Sequence, residues 1–250
     1  EIPKRDWSSD VCSPICLTAN AAVNGAWAAT DANVAAAWGV AESALPTTAF
    51  AAGTRGATVK TLTDAVQSVI AVKDGNVFGY SSVYLEGERT AVRSEETNLG
   101  DLSADANLFA AKQALGAAAP STWMVSLKNG GGIRAQIGMV SDPKADGSVD
   151  KLPPSDTSVS LLDVENSLRF NNQLMVFDTT PEGLKAILEH GVAAGTLQGR
   201  FPQIGGVAFS WDPDFTAGAR VMDVALIAAD GSRVGLYDNG TKLDRKSTRL

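Results

Sequence analysis

Apolar residues return at helical spacing at several points along the chain. Val59, Leu62, Val66, Val69 and Ile70 would share one face of a helix that begins near Thr58 and stops at "KDGN". Leu99, Leu102, Ala106, Phe109 and Ala110 repeat the pattern from Asn98 onward, and the run ends in alanines before Pro120. "PEGLKAILEHGVAAG" predicts a third helix, with Pro181 in its first turn and Gly195 closing it. A short helix fits "LLDVENSL". Another fits the region of Asn33 to Ala41, inside an alanine-rich stretch over 17–56 whose periodicity is otherwise weak.

Branched and aromatic residues mark the strands: "VFGYSSVYL", "TWMVSLK" (122–128), "QLMVFDTT", "GVAFSWDP" and "RVMDVALIAADGSRVG", with turn chemistry at "DPDF" and "ADGS". Residues 139–158, rich in Pro and Asp, predict a polar loop. Helices and strands alternate without a strict βαβ rhythm, so the expected class is α+β, a mixed β-sheet with packed helices.

Composition narrows the function classes. With 250 residues and 44% hydrophobic content, the chain can bury a substantial core as one large domain or two small ones. A net charge of −7 argues against a nucleic-acid-binding surface, which needs clustered Lys and Arg. An anionic ligand must therefore be met by local arginines. No apolar run approaches the roughly 18 to 20 residues needed to span a bilayer. Cys12 and Cys16, in "CSPIC", match neither a zinc knuckle nor a redox pair. His190 is the chain's one histidine, so a two-metal hydrolytic centre, which draws on several His and Asp ligands, is not expected within this chain.

The stretch "SLKNGGGIRAQIG" (126–138) carries candidate chemistry. Three glycines weaken any strand or helix, so their presence implies a sharp turn or a close approach of backbone to something else. A tight turn and a ligand both satisfy that. A glycine loop after a strand can present backbone N–H groups to anionic oxygens, and an arginine can grip a phosphate through two parallel charge-assisted hydrogen bonds.

Four ordered stretches, "VRSEETNLGDLSADA" (92–106), "NGGGIRA" (129–135), "LRFNNQLMVFDTTPEGLKAILEHG" (168–191) and "GRFPQIGGVAFSWDP" (199–213), together resemble the C-terminal domain of the 5'-nucleotidase family. The resemblance covers roughly 57–243. It implies a nucleotide-binding domain of a hydrolase of nucleotide catabolism, gripping phosphate and base while a separate N-terminal metallophosphatase domain hydrolyses the ester with a divalent metal pair such as Zn or Mn. No cofactor is then expected in this chain. The implied partners are a small-molecule nucleotide and that N-terminal domain, and the implied location is periplasmic or extracellular. A non-hydrolysing nucleotide-binding module, or a structural domain of a surface protein, are the alternatives.

Carried over residue by residue, the resemblance places Arg93 on the first substrate arginine, Asn129 and Arg134 at the polar ends of the glycine loop Gly130, Gly131 and Gly132, and Phe170 on the phenylalanine that stacks on the nucleobase. Arg169 stands where the family usually has proline. Read alone, an arginine such as Arg93 is more often a surface partner of Glu95 or Glu96, and a phenylalanine such as Phe170 more often a core residue. Asn98 and Asp105 are expected to cap and pack a helix, and His190 to suit the dipole at a helix end. The family's second aromatic clamp, in a "GGDG" motif, has no counterpart before the chain stops, and the loop between Arg134 and Phe170 is longer than in compact members. The expectation is thus a single domain truncated at its C-terminus. Residues 1–16 and 244–250 are expected to be non-native ends, and 17–56 a connector.

Overall fold

The computed structural model describes residues 30–119, 123–228 and 230–243. The cysteines and both terminal segments expected to be non-native lie outside these residues, as does the start of the strand expected at 122. The chain divides into two compact units, one ending at Val69 and one beginning at Ile70.

In the first unit, α1 (Asp31–Trp38) is capped by the Thr30 hydroxyl, which accepts from the Asn33 N–H, and ends at Gly39 with φ 66°. A 3-10 turn over Glu42–Thr47 folds back so that Ala35, Leu45 and Ala49 form a small core. Next comes α2 (Arg55–Asp74), which runs across the division. Its helical period is realised, yet Val59, Leu62, Val66 and Val69 are all exposed.

The second unit contains, in chain order, β1 (Val77–Tyr80), α3 (Asn98–Leu115), β2 (Ser126–Asn129), β3 (Met139–Val140), β4 (Lys151–Leu152), β5 (Ser158–Ser160), α4 (Leu161–Ser167), α5 (Pro181–Val192), β6 (Pro202–Gly205), β7 (Val207–Trp211), β8 (Val221–Ile227), β9 (Arg233–Asp238) and β10 (Thr241–Lys242). The class is α+β. The strands form small sheets: a four-stranded one in the order β10-β9-β8-β7, and the pairs β1-β5, β2-β6 and β3-β4. Each of these pairings is antiparallel. The β3-β4 hairpin occupies the stretch expected to be a polar loop.

Two cores hold this unit together. In the larger, Leu184, Leu188 and Val192 of α5 pack on Val221, Val224, Leu226 and Leu236. Their i, i+4, i+8 spacing puts them on one stripe of the helix, and Pro181 and the Thr180 hydroxyl open it. His190 lies in its last turn, exposed. The smaller core gathers Leu85, Val92, Leu99, Ile133 and Ile137, which underlie the glycine loop.

Three sequence expectations need correcting. The face of α3 that packs inward is Leu99, Gly100, Ser103, Ala104 and Ala111, whereas Leu102 and Phe109 are exposed. Small residues win there because β6 comes close: a Cβ at Gly100 would stand 1.8 Å from Gln203 Oε1. The N-cap is Thr97, whose hydroxyl accepts from Gly100 N–H, while Asn98 instead fastens a loop, accepting from Glu86 N–H at 2.7 Å and donating to Tyr84 C=O at 2.8 Å. Finally, "QLMVFDTT" is extended but pairs with no strand among the described residues. Without a ladder or cover, its apolar side chains from Leu174 to Phe177 are exposed.

Asp101, in the first turn of α3, has a buried Oδ1 with no hydrogen-bond partner among the described residues, while its carboxyl interacts with Glu96 and the Ile204 backbone. Burial first, then the neighbouring Glu96 carboxylate, push its pKa up to about 7. The folded state therefore holds a proton that the unfolded chain has released between about pH 4 and 7, and stability falls as pH rises through that window. Asp101→Asn should flatten this slope and raise the urea midpoint at pH 8 but not at pH 4. An unaltered pH profile in the variant would exclude the assignment.

Candidate functional site

The glycine loop sits where β2 leaves its ladder with β6, and it forms a single 3-10 turn over Gly130–Gly132. Two of its three N–H groups are taken up by backbone and not by a cradle. Gly130 N–H donates to Phe201 C=O and Gly131 N–H to Gly199 C=O, both at 2.8 Å. The glycines serve close approach instead: a Cβ at Gly130 would lie 1.7 Å from Val92 O, and one at Gly131 2.7 Å from Gly199 O. Gly130 and Gly132 are buried residues, and Gly131 and Gly132 form part of the wall of the concavity that Phe170 also lines. Two segments far apart in sequence, 91–93 and 199–201, are thereby drawn against one loop.

Each arginine is placed by a buried neighbour or a backbone tie. Arg93 ends a 3-10 turn whose preceding residue, Val92, is fully buried, and its own C=O accepts from Gln198 N–H at 3.1 Å. Its guanidinium reaches Gly199, where a Cβ would touch Cζ and Nη1 at 3.9 Å. Arg134 follows the buried Ile133 and donates its N–H to Ser167 C=O at 2.8 Å. That tie joins the loop to the end of α4, and three residues later Phe170 stands with its ring under the Arg134 guanidinium, 5.8 Å from Cζ to ring centroid.

Phe170 is 51% exposed, not a core residue. Asn129, Gly131, Gly132, Phe170, Asn172, Gly199 and Arg200 line one open concavity. Asn129 commits one side-chain N–H to Gly199 C=O at 3.1 Å. It braces the loop against 199 and leaves its Oδ1 as an acceptor.

The electrostatics are those of crowded positive charge. The Arg93 pKa is lowered, by burial first and then by the positive charges of Arg89 and Arg134. Its Nε is sealed from solvent and has no hydrogen-bond partner among the described residues. Among the described residues no carboxylate forms a salt bridge with Arg89, Arg93, Arg134 or Arg200, so Glu95 and Glu96 do not neutralise the cluster. Like charges crowd together in an acidic protein, which costs stability unless something negative binds between them. Metal binding is another matter. Among the described residues no group of three His, Cys, Asp or Glu side chains comes together to hold an ion.

Sequence reasoning did not single out Arg89, Asn172 or Arg200. Arg89 stands four residues before Arg93 in "ERTAVR", a spacing that reads equally as a helix pair, and only the effect of its charge on Arg93 sets it apart. Asn172 and Arg200 carry no local signal, since their role arises from segments meeting in space.

Comparison with known proteins places the chain in a family. Residues 77–248 match the family model described as "5'-nucleotidase, C-terminal domain". The chain is 34% identical over 164 residues to the trifunctional nucleotide phosphoesterase protein YfkN of Bacillus subtilis (strain 168), covering 65% of this chain and 10% of that protein. It is 30% identical over 162 residues to Protein 5NUC of Lutzomyia longipalpis, covering 63% of this chain and 26% of that one. The crystal structure of the 5'-nucleotidase precursor from Thermus thermophilus superposes with a TM-score of 0.57 at 29% identity, over 74% of this chain and 32% of that chain. The chain thus spans a third or less of the length of each of these relatives.

Proposed function

Since this chain belongs to the 5'-nucleotidase C-terminal domain family, we propose that its second unit is the part of a metal-dependent nucleotide phosphohydrolase that grips the nucleotide. Arg93 and Arg134 take the phosphate, and Phe170 stacks on the base. The observation that carries this reading is the unpaired arginine cluster, with the sealed Nε of Arg93, beside an accessible aromatic ring. A phosphate carries up to two negative charges, which relieve the repulsion between two guanidinium groups through charge-assisted bonds. A stacked base adds about 1 to 3 kcal/mol and tolerates different bases, because each has a π-face.

In this reading hydrolysis belongs to a metallophosphatase domain elsewhere on the polypeptide, working in the periplasm or outside the cell. No helix among the described residues is long and apolar enough to cross a membrane. Calorimetric titration of the chain with AMP tests the proposal. AMP should bind, Phe170→Ala should weaken AMP by roughly 1 to 3 kcal/mol while leaving inorganic phosphate unaffected, and AMP with manganese should release no phosphate. Equal affinity of wild type and Phe170→Ala for AMP would remove the stacking role.

A further inference from the structure

We propose that Arg200 is a specificity-determining residue of this site, reading the edge of the nucleobase and favouring bases with an oxo group, guanine and hypoxanthine, over adenine. The inference rests on the nucleotide-binding reading above and names which nucleotides that site prefers.

The argument begins with how Arg200 is mounted. Gly199 C=O accepts from both Gly131 N–H and the Asn129 side chain, and Phe201 C=O accepts from Gly130 N–H. Phe201 is itself buried, its ring 5.9 Å from that of Trp211. The backbone is therefore fixed on both sides of Arg200, while its own side chain is exposed and lines the concavity with Phe170 and Asn172. No carboxylate holds it among the described residues, so its guanidinium is available to a ligand. A side chain on a fixed base and with a free head suits recognition.

Position decides what it recognises. The anion end of the site is the group around Arg93, whose guanidinium is perturbed by Arg89 and Arg134. Arg200 lines the concavity that holds the aromatic platform and the Asn172 amide, and neither Arg93 nor Arg134 is among the described residues of that wall. It belongs to the base half. A guanidinium offers donors only, in a planar fork that fits O6 and N7 of guanine or hypoxanthine with two parallel bonds. Adenine presents an amino donor where those bases present O6, so one of the two bonds is lost and donor faces donor. The Asn172 side chain can both donate and accept, so it adds a polar contact without itself choosing between the bases.

The test is calorimetric titration of the full chain with GMP, IMP and AMP, for wild type and for Arg200→Gln. Arg200 is exposed and its side chain bonds no other residue among those described, so the variant keeps the fold, and its circular dichroism and urea midpoint should match wild type. Wild type should bind GMP and IMP about tenfold more tightly than AMP. Arg200→Gln should abolish or reverse that preference, weakening GMP and IMP but not AMP, because a glutamine amide accepts from N6 and donates to N7 of adenine. An unchanged ratio in Arg200→Gln would overturn the proposal, as would equal weakening of all three nucleotides, which would instead make Arg200 a phosphate contact. Binding of none of the three by wild type would remove the nucleotide-binding function itself and this inference with it.

Discussion

Gln203→Ala should lower the stability of the second unit by about 3 kcal/mol, the largest loss expected from any single side chain around the site. Gln203 is fully buried, a rare position for a side-chain amide. Its Oε1 accepts from Thr97 N–H at 2.9 Å, and its Nε2 donates to Val92 C=O at 3.1 Å and Glu95 C=O at 2.7 Å. Those three backbone groups belong to the segment between the Arg93 turn and the start of α3, where water does not replace a lost partner. Leaving a buried polar group unpaired costs roughly 1 to 3 kcal/mol each, and the three together exceed the value of the bonds themselves. Alanine also leaves a cavity under Gly100. Urea unfolding followed by circular dichroism measures the effect: the midpoint should fall with the slope unchanged, whereas Gln113→Ala, at an exposed position of α3, should stay within about 0.5 kcal/mol of wild type. A shift below about 1 kcal/mol for Gln203→Ala would mean that the amide network does not hold the Arg93 turn. Because the same amide positions that turn, nucleotide affinity should fall even in conditions where the variant remains folded.

Arg134→Ala should weaken nucleotide binding by roughly 1.5 to 3 kcal/mol, the range for a charge-assisted contact to a partly desolvated phosphate. Stability should hardly change. The Arg134 guanidinium is exposed, and the structural tie at this residue is its backbone N–H to Ser167, which alanine keeps. The loss should shrink as salt is raised, since the contact is between charges near the surface. Arg134→Lys should recover only part of it: an ammonium restores the charge but neither the two-pronged geometry nor the flat contact with the Phe170 ring. Titrations with AMP at low and high ionic strength check each point. Full affinity in Arg134→Ala would move the phosphate site away from the glycine loop.

Such effects follow from packing that periodicity alone misplaces. On α3 Leu102 and Phe109 point outward, and Gly100 with the small residues beside it meets β6, because the Gln203 amide needs room that a larger side chain would fill. The strand expected at 173–180 has the right composition, but a strand exists only when another chain segment supplies its ladder, and propensity contains no information about that partner.

Within these 250 residues, local chemistry by itself determined the elements with strong punctuation. Pro181 and Thr180 start α5, Ser160 and Asp163 cap α4 reciprocally, and the glycines after β2 force a turn, since each of these effects acts over three or four residues. The motif order likewise pointed to Arg93, Asn129, Arg134 and Phe170. Only the tertiary structure decided what these residues do together. It tied the Gly130 and Gly131 N–H groups to Phe201 and Gly199, and set Arg134 over Phe170 through a bond to Ser167. It also brought Arg89, Asn172 and Arg200 to the site. The physical reason is range: capping and turn preferences are fixed by neighbours along the chain, whereas crowded charges and shared concavities arise between residues far apart in sequence and become visible only when the cores bring those segments into contact.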